Sequence, residues 1–530
     1  MITFSKLGNY GRLGNALFEY ASCYGIAKSC NTELIIPEWS YTHYFENEFK
    51  VGKIDSKLID IKEPGFHYSE SFVNYIKECS RNNDVDILGY LQTEKYWEHC
   101  VEEVKKQLTF TNAIIEQSKS RFEGEEVFSK QTIAVSIRRG DYVNNLNYEN
   151  LPFHYYILAL EEHFPKWREE NNILVFSDDI PYCKVHFAAA SNVFFSENNS
   201  DIEDICLMSQ CNHFIIANST FSWWGAYLGE KYKSIVVRPN YLFAGKLLQG
   251  NDWKDFYPKR WSTFDYRNED TTRKVIDLTD TTFIIPVNYD SIDRKKNLDL
   301  SLCLIQHYFK TNIIVMEQGG DKFEYVKDYC TYLKFEGDIF HRTKMLNDMT
   351  KLAKTPYIAN WDADIFIAPL QIYEAVNSLR NEGAKLCYPY DGRFARMPRM
   401  KWFGLLELHL DIGIVGDTQF NGMEATAAES VGGAVFFNKE YYMRWGGENE
   451  NFISFGAEDV ERYDRMRKLD TNIKRISGAL YHMNHWIGVN SSKQNPYFVK
   501  NADESLKIKT MTHEQLINYI KTWKWTHWVK

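Results

Sequence analysis

The chain has 530 residues, of which 44% are hydrophobic and 25% charged, with a formal net charge of -9. Beyond roughly 250–300 residues chains divide into domains, so two or three are expected. The acidic balance excludes a general nucleic-acid binder, which carries a basic surface, but allows a local basic site for phosphates.

The start, MITFSKLGNYGRLGN, has no apolar h-region and reads as no signal peptide. GRLGNALFEYA (11–21) follows, with glycines flanking Arg12 and Leu13 before a helical pattern. A glycine turn into a helix N-terminus holds a phosphate, or serves only a strand–turn–helix junction. QTIAVSI (131–137), NILVF (172–176), HFIIA (213–217) and SIVV (234–237) read as buried strands. FHYYILALEEHF (153–164) and IEDICLMSQC (202–211) lie between them as helices. Such alternation predicts parallel α/β sheets.

Ligands of open α/β sheets sit at strand C-terminal ends. AVSIRRGDYV (134–143) ends a strand in two arginines suited to a diphosphate, or in a solvated Arg–Asp pair. FSDDIPYCK (176–184) places Ser177 and Asp178 at a second strand end. In ANSTFSWWGAYL (217–228), Asn218, Ser219, Thr220 and Ser222 are candidate phosphate donors at a helix start. Trp223 and Trp224 read as packing residues.

Together these strings resemble the inverting α-1,2-fucosyltransferases, whose motifs are GRLGNxxFxYA, HxRRGDY, FSDD and NSSFSWWGAWL. The resemblance runs from about residue 1 to 262, with Ser136 in the histidine position. It implies a metal-independent, GT-B-like module of two Rossmann-like subdomains that uses GDP-fucose. Arg138 would clamp the diphosphate, with Arg12, Asn15, Arg139, Asp141, Ser177, Asp178, Asn218, Ser219, Thr220 and Ser222 around the donor. No carboxylate stands out as the base.

Asp265 to Asp280 is polar and charged, which places the main boundary near residue 270. The expected division is a first module over 1–265, a linker over 266–280, a second domain over 281–490 and a C-terminal helical extension over 491–530. TTFIIPV (281–287), NIIVM (312–316), PYIANW (356–361) and GGAVFF (432–437) are strand candidates. In NWDADIF (360–366), Asp362 and Asp364 present carboxylates to one cation, Mn²⁺ or Mg²⁺. FHRTKMLN (340–347) supplies Arg342 and Lys344, and HMNH (482–485) supplies His482 and His485, or simply a surface pair.

This second set resembles the GT-A β-1,4-galactosyltransferase and chondroitin-polymerase-like group over about 281 to 490. Shared are the IIPV strand, FxRxKxLN, the DxD, GGxxxFxKE, the G-x-E-D acids and a late histidine. The resemblance implies a UDP-sugar site of Pro286, Val287, Asn288, Arg294, Arg342, Lys344, Asp362, Asp364 and Gly433. It implies a metal on Asp364 with His482 or His485, Asp459 as base and Glu458 on the acceptor sugar. Phe455 replaces the tryptophan of a mobile loop.

The expectation is therefore a bifunctional, cytoplasmic glycosyltransferase of surface-glycan synthesis, acting on an oligosaccharide or lipid-linked acceptor. The alternatives are one active module with a glycan-binding scaffold, or a non-enzymatic carbohydrate-binding protein. The ten Cys lack metal-ligand spacing and fit a reducing compartment. No apolar run approaches the ~18 residues of a membrane span. The tail WKWTHWVK (523–530) mixes Trp with Lys, suiting either peripheral contact at the inner face of a membrane or a packed terminal helix.

Overall fold

The computed structural model describes the chain except residues 55–56, 268–274, 398–409, 417–423, 428, 470, 489, 491 and 527–530. It forms two compact units. One is Met1–Cys183 with Asn192–Lys274, the other Lys184–Ser191 with Val275–Lys530.

The first unit contains two parallel sheets. The smaller has Asp84–Leu88 between Ile2–Thr3 and Leu58–Lys62. The larger has six strands in the order Val193–Phe195, Asn171–Ser177, Gln131–Ile137, His213–Ile215, Val236–Pro239 and Ser262–Phe264, all parallel. Gln131–Ile137 is central and buried after its first residue, as its unbroken apolar run requires. Helices Phe153–His163 and Asp201–Ser209 fall where the apolar periodicity placed them. Ser200 and Glu203 close a capping box on the second. Trp97, Trp223 and Trp224 are fully buried around Phe18.

Helix Leu13–Ser29 meets the start of helix Thr220–Gly229 at Gly14. A Cβ on Gly14 would stand 2.7 Å from the Phe221 nitrogen and the Thr220 carbonyl carbon. Only glycine lets the two helix starts approach this closely.

The second unit is built on a seven-stranded sheet. Its order is Thr331–Phe335, Phe309–Gln318, Ile276–Asn288, Tyr357–Trp361, Ala434–Asn438, Leu386–Tyr388 and Ile473–Arg475. The expectation of parallel strands needs correction here. Ala434–Asn438 runs antiparallel to both neighbours, Tyr357–Trp361 and Leu386–Tyr388. Its reversal brings Gly433 beside the end of Tyr357–Trp361, where the Gly433 carbonyl accepts the Asp362 N–H at 2.9 Å. The strand expected from residue 281 begins earlier, at Ile276, inside the stretch read as linker. Ile276 and Leu278 are buried, and alternation with exposed Asp277 gives that stretch a strand's period despite its charge. A second sheet carries Ile365–Ile367, Leu480–Met483, Phe394–Met397 and Glu424–Ala427.

Helices Phe498–Thr510 and His513–Ile520 close the chain. Of the two readings of the tail, the packed terminal segment is the one that its described residues support. Trp523 is 5% exposed, packed on Gly446 and Ile520, with the Arg465 guanidinium 5.3 Å from its ring centroid. Trp525 donates to the Gly446 carbonyl at 3.0 Å. The indoles of Trp523 and Trp525 are thus spent on internal packing; residues 527–530, Trp528 among them, lie outside the described residues. Among the described residues no helix is long and apolar enough to cross a membrane.

Gly14→Ala is expected to destabilise the chain by about 1–3 kcal/mol, because its methyl group meets backbone rather than a movable side chain. Chemical denaturation measures it; an unchanged midpoint would show that the two helix starts separate freely.

Candidate active sites

In the first unit the strand ends collect charge. Gln131–Ile137 runs into Arg138 and Arg139, and its neighbour Asn171–Ser177 runs into Asp178 and Asp179. Arg138 pairs with Asp178 at 2.8 Å and with Asp141, and its guanidinium lies 5.3 Å from the Tyr142 ring centroid. Arg139 is buried: its backbone N–H donates to Asp178 at 2.9 Å, Nε donates to Asp179 at 3.1 Å, and the guanidinium stacks 3.6 Å from the Tyr182 centroid. Ser177 Oγ accepts the Asp179 N–H at 3.0 Å. A Cβ on Gly140 would collide with the Asp178 carboxylate.

Tyr142 ties this turn to the next one, donating to the Asn218 carbonyl at 3.1 Å. There Ser219 caps helix Thr220–Gly229 by accepting the Phe221 N–H at 3.3 Å, which leaves its own hydroxyl proton to donate. Asn15 Oδ1 accepts from Thr220 Oγ1 and Gln92 Nε2, each at 3.0 Å. Arg12 is exposed at the N-cap of Leu13–Ser29. Two helix N-termini therefore converge, and their partial positive charges favour an anion there.

Three of the expected phosphate donors are not available. Thr220 spends its hydroxyl proton on Asn15. The Asn218 amide donates to the Glu149 and Leu242 carbonyls, both at 2.9 Å. Ser222 is fully buried and donates to the Ala217 carbonyl at 3.0 Å and the Ser219 carbonyl at 3.1 Å. Both hold the turn together instead of facing a ligand. Ser136 is 6% exposed within the central strand.

In the second unit a cavity of about 340 Å³ lies at the strand ends. Pro286, Val287 and Asn288 line it, with Arg294, Arg342, Asp362, Asp364, Gly433, Glu458, Asp459, His482 and His485. Gly433 sits at φ 85, where a Cβ would stand 2.8 Å from Leu480 Cδ1. That glycine lets the chain turn back beside the Asp pair.

Asp364 is 4% exposed. His485 Nε2 lies 3.1 Å from its Oδ2, His482 Nε2 lies 3.7 Å from its Oδ1, and Arg294 pairs with it as well. One ligand atom from each of Asp364, His482 and His485 falls within 4.8 Å of the others. His482 Nδ1 is buried without a hydrogen-bond partner among the described residues. Burial opposes ionisation of Asp364, but His482, Arg294 and His485 outweigh it and hold the carboxyl far below its ordinary value. Burial lowers His482, whereas Asp364 raises His485 against burial. A carboxylate with two imidazoles fits Mn²⁺ better than Mg²⁺, which prefers oxygen throughout.

Glu458 and Asp459 open helix Glu458–Lys468, behind Ala457 at φ 64. Asp459 Oδ1 accepts from Arg462 at 2.6 Å and Arg342 at 3.4 Å. Its Oδ2 faces Gly432, where a Cβ would stand 2.9 Å away. Burial pushes the Asp459 carboxyl up, but the two guanidinium groups prevail and hold it below its ordinary value. Glu458 accepts the Gly456 N–H at 3.0 Å, and burial beside the Asp459 charge pushes it up to about 7. Arg342 also pairs with Asp362 at 2.7 Å. Burial raises Asp362 in spite of that partner. Asp459 is thus kept ionised, with Oδ2 outside both guanidinium contacts and able to accept a hydrogen bond.

Lys344 does not join this site; it pairs with Asp348 one turn along its own helix, at 2.9 Å. Arg342 lines the cavity, but its guanidinium serves three carboxylates. The sequence reading missed Asp290, whose signal was its position four residues before Arg294, with which it pairs at 3.4 Å. It also missed Phe394 and Arg396, which no local pattern marks as cavity-lining, and Phe340, which opens the FxRxKxLN string but was given no role.

Comparison with known proteins bears on both units. Residues 4–264 match the model of Glycosyl transferase family 11. Residues 418–486 match the model described as the N-terminal domain of galactosyltransferase, a stretch that holds Gly433, Glu458, Asp459, His482 and His485. The chain is a glycosyltransferase. An alpha-1,2-colitosyltransferase of Escherichia coli is 29% identical over 286 residues, spanning 47% of this chain and 95% of that protein. The O-antigen biosynthesis glycosyltransferase WbnK of Escherichia coli is 42% identical over 122 residues, 22% of this glycosyltransferase and 40% of that one. The catalytic domain of Drosophila β1,4-galactosyltransferase 7, solved with xylobiose, is 17% identical with a TM-score of 0.23, over 38% of this chain and 65% of that one.

Asp364→Asn and His485→Ala are each expected to weaken Mn²⁺ binding by more than the roughly 10–100-fold that follows loss of a group merely orienting a ligand. Lys344→Ala should leave it unchanged. Titration followed by Mn²⁺ electron paramagnetic resonance decides; equal binding in all three variants would place the cation elsewhere.

Glu458 yields a pH prediction. Its folded value of about 7 exceeds the ordinary 4.5, so the folded state binds the extra proton and its contribution to stability falls as pH rises through that window. Glu458→Gln should therefore gain stability relative to the parent from about pH 4.5 to above pH 7. Denaturation midpoints at several pH values measure this, and a constant difference would contradict it.

Proposed function

We propose that the chain is a bifunctional enzyme of surface-polysaccharide synthesis. The second unit transfers galactose, or another hexose or N-acetylhexosamine, from a UDP-sugar with inversion to a β linkage. The observation that carries this reading is one cavity in which a cation-ready Asp364–His482–His485 cluster stands with a clamped, ionised Asp459. Asp364, His482 and His485 would hold the divalent cation, which neutralises charge on the departing diphosphate. Asp459 Oδ2 takes the proton of the acceptor hydroxyl, whose oxygen bonds to the sugar C1. The C1–O bond to phosphate breaks and UDP leaves with the electron pair. Asp362 and Arg294 hold the donor side of the same cavity, and Glu458 the acceptor sugar.

The first unit transfers fucose in α-1,2 linkage from GDP-fucose. Arg12, Asn15, Arg138 and Ser219, with the two helix starts, receive the diphosphate and stabilise it as it leaves. The fucose would cap the sugar added by the second unit. The O-antigen biosynthesis role of WbnK supports a glycan acceptor, lipid-linked or free. All ten cysteines are free thiols, which supports a reducing, cytoplasmic setting.

A second reading keeps only the C-terminal transferase active, with the first unit as a glycan-binding scaffold. Its support is Ser136 in place of the histidine, together with the two carboxylates that already occupy Arg138.

The test is turnover of GDP-fucose and a panel of UDP-sugars, with and without Mn²⁺. Arg138→Ala should abolish only metal-independent turnover of the GDP-sugar. Asp364→Ala should abolish only Mn²⁺-dependent turnover of the UDP-sugar, each by at least ~10²-fold. A parent that neither binds nor turns over a GDP-sugar would leave the scaffold reading in its place.

A further inference from the structure

The second-last helix, Phe498–Thr510, folds back onto the loop that leads into the acid pair. Asn501 of Phe498–Thr510 is fully buried and outside the cavity lining. Its Nδ2 donates to the Ile453 carbonyl at 2.9 Å and the Phe455 carbonyl at 3.1 Å, and its Oδ1 accepts the Ile453 N–H at 3.3 Å. One turn on, Glu504 accepts from Asn449 at 2.9 Å, Asn451 at 3.1 Å and Tyr519 of the last helix at 2.8 Å. Phe498 stacks on Phe455, with ring centroids 6.4 Å apart and 13° between planes. Gly456, at φ 129, lies so near Phe498 that a Cβ would be 3.0 Å from its ring.

The loop held in this way is strained. Ser454 and Ala457 adopt φ of 59 and 64 without being glycine. Such backbone persists only where its surroundings enforce it. The segment leads straight into Glu458 and Asp459, and Ser454 and Phe455 themselves line the cavity. Any freedom at 453–457 becomes freedom in where the acids and the Phe455 ring stand. Reacting groups misplaced by about 1 Å lose much of their rate.

We propose that Phe498–Thr510 is a strap that fixes the acceptor side of the cavity, with Asn501 as a positioning residue. The inference rests on the cavity being the UDP-sugar transfer site. Its ligand class is a pyranoside acceptor, whose apolar face the Phe455 ring receives while its hydroxyl meets Asp459. The cation cluster stands on Asp364, His482 and His485, none of which bonds to the strap among the described residues. Donor binding is therefore independent of Asn501, whereas acceptor binding and transfer depend on it.

The test uses the full chain with Asn501→Asp, which keeps the acceptor for Ile453 and loses both donors. Phe498→Ala is the second variant; that side chain is half-buried, so its truncation spares the core. Acceptor KM is read with the p-nitrophenyl β-glycoside the parent uses, together with the ratio of transfer to donor hydrolysis. Hydrogen exchange of the amides of 451–457 is read beside it. We expect acceptor KM to rise roughly tenfold, the scale of one or two lost loop-fixing hydrogen bonds. Transfer should fall against hydrolysis, the 451–457 amides should lose protection, and UDP affinity in Mn²⁺ should stay within about twofold. Unchanged acceptor KM and unchanged exchange in both variants would overturn the strap, as would equal loss of UDP affinity. If the parent turns over no UDP-sugar, the proposed activity fails and the exchange of 451–457 alone decides the strap.

Discussion

Two buried arginines make the second unit's cavity possible. Asp362, Glu458 and Asp459 line the cavity and buried Glu448 stands behind them, so like charges lie close together. Arg342 joins Asp362, Glu458 and Asp459, and Arg462 joins Asp459 to Glu448 at 2.9 Å. Such pairs do little for net stability, because desolvation offsets attraction. Their effect is to set which acid is ionised. Asp459, touched by both guanidinium groups, is held down, while Glu458, beside it but farther from Arg342 at 3.8 Å, is pushed up. Neighbouring carboxyls with separated protonation states can take separate roles.

If each unit receives a diphosphate and lets it leave with its charge, as proposed, the two meet that electrostatic demand by different means. On the proposed reading the first unit does so with fixed backbone dipoles at two helix starts, brought together at Gly14. The second recruits a cation through Asp364 and two imidazoles. Preorganised dipoles need only a rigid turn, which Tyr142, Asn218 and Ser222 supply. A cation cluster needs protonation states that leave its ligands open, which burial and Arg294 govern.

Much of this was legible in the sequence because it is local. The strand over 131–137 is a continuous apolar run, and strand length and burial follow from such runs directly. The Asp pair, the acid pair and the histidines are short motifs, and the fold gathers Asp364 with His482 and His485. What escaped is tertiary. The direction of Ala434–Asn438 depends on which neighbour it pairs with, and its five residues carry no sign of that. Ser222 and Lys344 look alike as motif members whether they face a ligand, a carbonyl or an acid one turn away. The tail's tryptophans have the composition of a membrane surface, yet Trp523 fills the space that Gly446 leaves open.

The long strand Ile276–Asn288 has a practical consequence for anyone wishing to separate the halves. It lies inside the seven-stranded sheet, between Phe309–Gln318 and Tyr357–Trp361. Its first three residues pair with Phe309, Lys310 and Thr311, ahead of the apolar stretch that first marks it as a strand. A gene cut at the apolar stretch would leave those three partners with open backbone groups in an edge notch. Expressed alone, that fragment would offer a template to any extended peptide nearby. A cut placed ahead of Ile276 keeps the ladder whole, while Lys184–Ser191, whose His186 bonds to Asp411, stays behind on the other fragment.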